Sequence, residues 1–165
     1  MLRFLFPRLT PAEPRGSALF EAVVAEARQP FWYRDLCVPD TLDGRFSVLA
    51  TLIALVTVRL EQGSEDTKAA SVGLTERFIE AMDAEHRQIG FGDPTLGKIV
   101  RKLVGRLAMR VELWRAVIER DADWSLAAGE SMDGPAGAEA VQKLRAFWTR
   151  VRDSSDEDLI AGRLK

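Results

Sequence analysis

His86 is the single histidine of this 165-residue chain and Cys37 its single cysteine, so the side chains that most often carry acid, base or nucleophilic chemistry occur once each. A Ser-His-Asp or Cys-His arrangement would have to combine His86 with Cys37 or with a serine from another element, and no G-x-S-x-G turn presents such a serine. The spacing Asp83-x-x-His86 is half of the pattern found in di-iron helical bundles, but those sites take a second histidine and several inward glutamates. A structural histidine, at the surface or partly buried, is the plainer reading. Gly90, Gly92 and Gly97 match a dinucleotide fingerprint in number only. They follow a helical stretch, whereas the fingerprint needs a strand ahead of its turn. With no nucleophile, base and oxyanion set, the sequence reads as non-enzymatic and implies no cofactor and no metal.

One charged feature rises above the background. Lys98, Lys102, Arg106 and Arg110 recur every four residues with Arg101 beside them, and no acid occurs between Asp93 and Glu112. Residues four apart share a helix face, so these cations form one flank. The flank reads either as a solvated face, partly neutralised by Glu76, Glu80 and Asp83 of the preceding helix, or as a surface for a phosphate-bearing or acidic partner. A net charge of −2 supplies no overall field for nucleic acid.

The elements that position these residues are organised around 31–63, and within it around the uncharged run FSVLATLIALVTV between Arg45 and Arg59. Leu49, Leu52, Ile53 and Val56 follow i, i+3, i+4, i+7 spacing, with Val48, Leu55 and Leu60 thickening the face. A helix over 43–62 would be about 30 Å long and apolar on every side, a central rod sheathed by others. The apolar run is shorter than the roughly 18–20 residues of a membrane span, which favours a buried core helix.

Before it, Ser17 is placed to cap a helix reaching about Gln29, with Phe20, Val23, Val24 and Ala27 at helical spacing. Pro30 ends it, and 31–36 forms a short aromatic turn. After the rod, Gly63 and a polar stretch reverse the chain into a helix running to about Ile89. The sequence Gly90-Phe91-Gly92-Asp93-Pro94 then places glycine past a helix end, aspartate as the next N-cap and proline at the first helical position. A long helix over 94–120 would bury Leu96, Ile99, Val100, Leu103, Leu107, Val111, Trp114 and Ile118. A short helix near Trp124, a loop over 129–137 and an amphipathic helix through Val141, Leu144, Phe147, Trp148 and Val151 follow, with a last turn over 156–164. No stretch alternates with period two. The fold class is therefore all-α: a single-domain bundle of about six or seven helices, preceded by an irregular arm at 1–16. Composition agrees, at 47% hydrophobic and 29% charged residues. In the arm, Arg3 and prolines 7, 11 and 14 break the apolar stretch, unlike a secretory signal. Phe4, Leu5 and Phe6 would pack on the domain, a partner or a membrane surface.

Short connections make consecutive long helices antiparallel, so the start of the rod and the Gly90 turn should lie at one end of the bundle. Segments 43–46 and 92–98 are expected to form one contiguous patch there.

The run Phe31-Trp32-Tyr33-Arg34-Asp35-Leu36-Cys37-Val38-Pro39-Asp40-Thr41-Leu42-Asp43-Gly44-Arg45-Phe46, followed by the apolar helix ending Val58-Arg59-Leu60, resembles the signature of the ubiquinol-cytochrome c chaperone family. A second block, Gly90-Phe91-Gly92-Asp93-Pro94-Thr95-Leu96-Gly97-Lys98, is similar to that family's G-V-G-D-x-x-x-G-K turn. Together the blocks carry the resemblance over about 18–120, leaving 121–165 as a helical extension outside it. The resemblance implies a non-catalytic assembly chaperone for ubiquinol-cytochrome c reductase, respiratory complex III. Its partner would be newly synthesised cytochrome b, with a ribosome, an anionic inner-membrane surface or a small partner protein as further contacts and no DNA. The absence of an organelle-targeting arm suggests a bacterial member, cytoplasmic and peripheral at the inner membrane. The partner-binding residues expected on this basis are Asp40, Asp43, Gly44, Arg45, Phe46, Gly92, Asp93, Lys98, Lys102 and Arg106. A membrane-surface or ribosome-associated adaptor that recruits other assembly factors is the alternative.

Overall fold

The computed structural model describes residues 16–36, 38–88, 90 and 93–164, with the side chains of Asp93, Pro94 and Leu96 left aside. The expectations for the arm at 1–15, for Cys37, Ile89 and Phe91, and for the placement of Gly92 and of the Asp93 side chain lie outside the described residues. Among the described residues all regular structure is helical: α1 (Ser17–Ala27), α2 (Phe31–Arg34), α3 (Leu42–Glu61), α4 (Glu65–Gln88), α5 (Asp93–Arg120), α6 (Trp124–Ser131), α7 (Ala138–Asp153) and α8 (Asp156–Ile160).

α3 is the rod. From Phe46 to Val58 every residue is buried, because α1, α4, α5 and α7 pack around it. Each fully buried leucine, isoleucine or valine there contributes roughly 1.5–3 kcal/mol relative to exposure. No helix among the described residues is long and apolar enough to cross a membrane.

Several boundaries differ from expectation for identifiable reasons. Gly16, not Ser17, caps α1: its φ of 81° is left-handed, and a Cβ there would fall 2.6 Å from the Leu74 backbone nitrogen of α4. That close crossing requires glycine and so fixes where α1 starts. Gly90 has a φ of 95° and donates to the Arg87 carbonyl, the helix-ending role expected of it. α5 begins one residue early, at Asp93, with Pro94 second. The expected loop over 129–137 shortens to 132–137, since α6 continues through Gly129 to Ser131 and Gly134 folds back to donate to the Gly129 carbonyl.

The buried stripe of α5 is also rotated from the expected one. Its fully buried positions are Leu103, Leu107, Arg110, Trp114 and Val117, while Ile99, Val100, Val111 and Ile118 are half-buried. An arginine thus sits in the seam.

Candidate binding groove

Loop 38–41 folds tightly onto the first turn of α3. The Thr41 hydroxyl caps the helix by accepting from the Gly44 amide at 3.2 Å. Gly44 lies against the Pro39 carbonyl so closely that a Cβ would sit 1.9 Å from its oxygen. This closure brings Asp40 to Arg45, with Nε to Oδ1 at 2.7 Å across an exposed pair. The hydrogen bond from Arg45 holds the Asp40 carboxyl below its ordinary range. On the other side, α2 is pinned to the end of α1 by two aromatic donors. The Trp32 indole N–H donates to the Glu26 carbonyl at 3.0 Å and the Tyr33 hydroxyl to the Ala27 carbonyl at 2.7 Å. Burial is the main reason the Tyr33 phenol is pushed up.

Between these two walls and the end of α4 runs an open groove of about 680 Å³, within the range of roughly 300–1,000 Å³ typical of ligand pockets. Its floor is apolar, built by Phe20 and Val24 of α1, Leu42, Phe46 and Leu49 of α3, and Met82 of α4. Arg28, Arg34, Asp40, Arg45 and Glu85 stand around it. His86 does not line it; the ring is buried, with Nδ1 2.8 Å from the Met82 carbonyl. Among the described residues no cluster of histidine, cysteine and carboxylate side chains is placed to hold a metal ion.

Behind the groove lies a polar node. Phe46 faces the groove, and the guanidinium carbons of Arg106 and Arg110 lie 4.4 and 5.4 Å from its ring centre, within cation–π range. Both arginines donate to the Asp133 carboxylate, Arg110 at 2.7 Å, and the Ser47 hydroxyl donates to the same oxygen. Arg110 Nε also donates to the Ser131 carbonyl at 2.8 Å, and the Trp114 indole to the Ser131 hydroxyl at 3.0 Å. The hydroxyls of Thr51 and Ser131 meet at 2.7 Å. Burial lowers the pKa of Arg110, and Asp133 partly restores it. For Asp133 burial acts upward, but the Ser47 hydrogen bond and the charges of Arg110 and Arg106 outweigh it, and the carboxyl sits below its ordinary range.

Of the residues singled out from sequence, Asp40, Arg45 and Phe46 line the groove, and Gly44 shapes the turn beneath it. Asp43 points outward, 3.6 Å from Arg106. Arg106 is tied into the node, whereas Lys98, Arg101 and Lys102 are exposed cations with no carboxylate partner among the described residues. Of the acids expected from the preceding helix, Glu80 pairs with Arg77 and Asp83 with Arg87, both within α4. The carboxylates paired with the flank's Arg106 and Arg110 are Asp133 and Asp43. Rod residues Asp43 and Phe46 meet α5 at Arg106, about 12 Å along the helix axis from Lys98. Helical spacing marks Phe20 and Val24 only as apolar and gives no sign that Met82 joins them in a groove or that Arg110 pairs with Asp133.

A protein-family model described as ubiquinol-cytochrome C chaperone matches residues 34–165. The chain belongs to that family. The match continues through α6, α7 and α8, beyond the 18–120 over which the motifs carried the resemblance, and it begins at Arg34, the last residue of α2. Among solved structures, the crystal structure of the Cbp3 homolog from Brucella abortus is similar with a TM-score of 0.75 at 26% identity, covering 100% of this chain and 96% of that one. A comparison with curated protein sequences finds no match. The family assigns the chain a chaperone role; the α3 and α4 sides of the groove and Arg34 lie within the matched residues, while α1, Pro30 and Tyr33 form the opposite wall from outside them.

Proposed function

We propose that this chaperone holds an apolar segment of newly synthesised cytochrome b in the groove until haem and partner subunits of respiratory complex III bury it. The observation that carries the reading is the groove itself: an open apolar trough whose rim holds Asp40 and Arg45 and whose floor holds Phe46. Unassembled membrane segments expose apolar surface that aggregates in water, and a groove between helices can cover one face of such a segment. Asp43, beside Arg106, extends the recognition surface, with Gly92 and Asp93 of the second motif as further candidates. The protein would work without catalysis at the cytoplasmic face of the inner membrane.

A photo-crosslinking amino acid placed at Phe20 or Val24, both half-buried in the groove wall, should trap cytochrome b in growing cells. The same probe at Glu119, exposed near the end of α5, should not. If neither groove position traps cytochrome b while deletion of the gene leaves its haem spectrum unchanged, the reading fails.

The exposed cations Lys98, Arg101 and Lys102 favour a second reading, a surface adaptor that docks on anionic lipid or ribosomal RNA and recruits other assembly factors.

A further inference from the structure

We infer that the segment this groove accepts carries a negative end, with Asp or Glu residues placed within about one turn of its apolar part and seated against Arg28 and Arg34. The inference rests on the reading of the groove as the client site and specifies the chemistry of what enters it.

Three arginines and two carboxylates line the trough, so it carries an excess of positive charge. The excess is not spread evenly. Arg45 is committed to Asp40 at 2.7 Å, and Glu85 adds to the field that holds its proton. Arg28, which caps the end of α1, and Arg34, the last residue of α2, are exposed and pair with no carboxylate among the described residues. They stand on the wall formed by α1 and α2, while the compensated arginine stands on the wall of α3. An apolar segment lying on Phe20, Val24, Leu42 and Leu49 would therefore meet two uncompensated guanidiniums at one side. A lysine-flanked or arginine-flanked segment would be repelled there, and a carboxylate would find two donors suited to it. The pairing acts as a filter on which apolar segments are held and in which direction they lie.

The test uses two fluorescent peptides with the same apolar helix, one ending in two glutamates and the other in two lysines, titrated against the full chain by anisotropy. The acid-ended peptide should bind about tenfold more tightly at low salt, the size expected of a few partly exposed charge pairs. The difference should shrink as salt is raised. In the double variant Arg28→Glu with Arg34→Glu, whose exposed positions leave the core untouched, the preference should reverse. Equal binding of the two peptides, lost in both when Val24 is replaced by Arg in a chain that still melts cooperatively, would overturn the charge filter and leave the groove in place. Binding that Val24→Arg does not weaken would overturn both. If the double variant abolishes flotation with phosphatidylglycerol vesicles while peptide binding shows no charge preference, the two arginines serve a lipid surface and the inference falls.

Discussion

At the scale of single residues, Arg110 is the most informative side chain. A buried guanidinium is costly unless it is paired and hydrogen-bonded, and here every partner comes from beyond its own turn except the Arg106 carbonyl. Asp133 is the charge that compensates it. Replacing Asp133 by Asn should therefore cost roughly 1–3 kcal/mol at pH 7, a range kept below that for a fully buried pair because the carboxylate is half exposed. The pH dependence has a definite sign. The folded pKa of Asp133 is depressed, so its stabilisation is complete above the unfolded value near 3.9 and is lost as pH falls through the folded one. Urea midpoints of the two proteins should differ at pH 7 and converge as the pH falls through the depressed folded value. A constant gap across that range would show that the substitution disturbs packing and that the charge is irrelevant. Residue 133 also has a φ of 56°, which Asp and Asn both tolerate better than other side chains, so the exchange is fair to the backbone.

At the scale of elements, α5 divides along its length. Its first half presents Lys98, Arg101 and Lys102 to solvent; the next two cations of the row, Arg106 and Arg110, turn inward to Asp133 and Ser131. Reversing Lys98 and Lys102 to glutamate should leave the melting temperature within about 2 °C, as expected of exposed positions. If the adaptor reading holds, flotation with anionic vesicles should fall severalfold. Reversal of Arg106 is unsuited to that test, because it would place a carboxylate beside Asp133 and Asp43 and destabilise the fold. The same division explains what the sequence could reveal. The rod was legible because an uncharged run between two arginines admits few other readings, and Gly90 was legible because its helix-ending role is local. The four-residue spacing of the cations was equally plain, but its inward turn at Arg110 depends on a carboxylate 23 residues away. Heptad spacing of Leu103, Leu107, Trp114 and Val117 around position 110 was the one available sign. The groove was illegible for a different reason: it is a gap between α1, α3 and α4, and periodicity records Phe20 and Val24 as apolar without saying what faces them.

At the scale of the whole molecule, the C-terminal segment closes the bundle on the side away from the node. Asp156 accepts from Arg59 at 2.9 Å and from the Ser64 amide at 3.0 Å, so α8 clasps the turn that joins the rod to α4. Its carboxyl is held below the ordinary range, first by the Ser64 amide and then by Arg59. Leu159 is fully buried, and Gly162, at a φ of 71°, runs so close to α1 that a Cβ would lie 2.4 Å from the Ala18 carbonyl oxygen. α1 supplies the groove wall that bears Phe20, Val24 and Arg28, so the segment after Asp153 holds in place a wall it does not line. A chain ending at Asp153 loses one buried leucine and the clasp, together about 3–5 kcal/mol. For a domain of this size that is about 10 °C in melting temperature. Amide exchange should resolve the loss spatially: α1 and the turn at 62–64 should exchange faster, while the α5–α6 node keeps its protection. Client crosslinking from Val24 should fall in the truncated chain even below its new melting temperature, because one wall is no longer fixed. Unchanged protection of α1 would mean that α3 and α4 alone hold that wall, and would remove the C-terminal segment from any account of the groove.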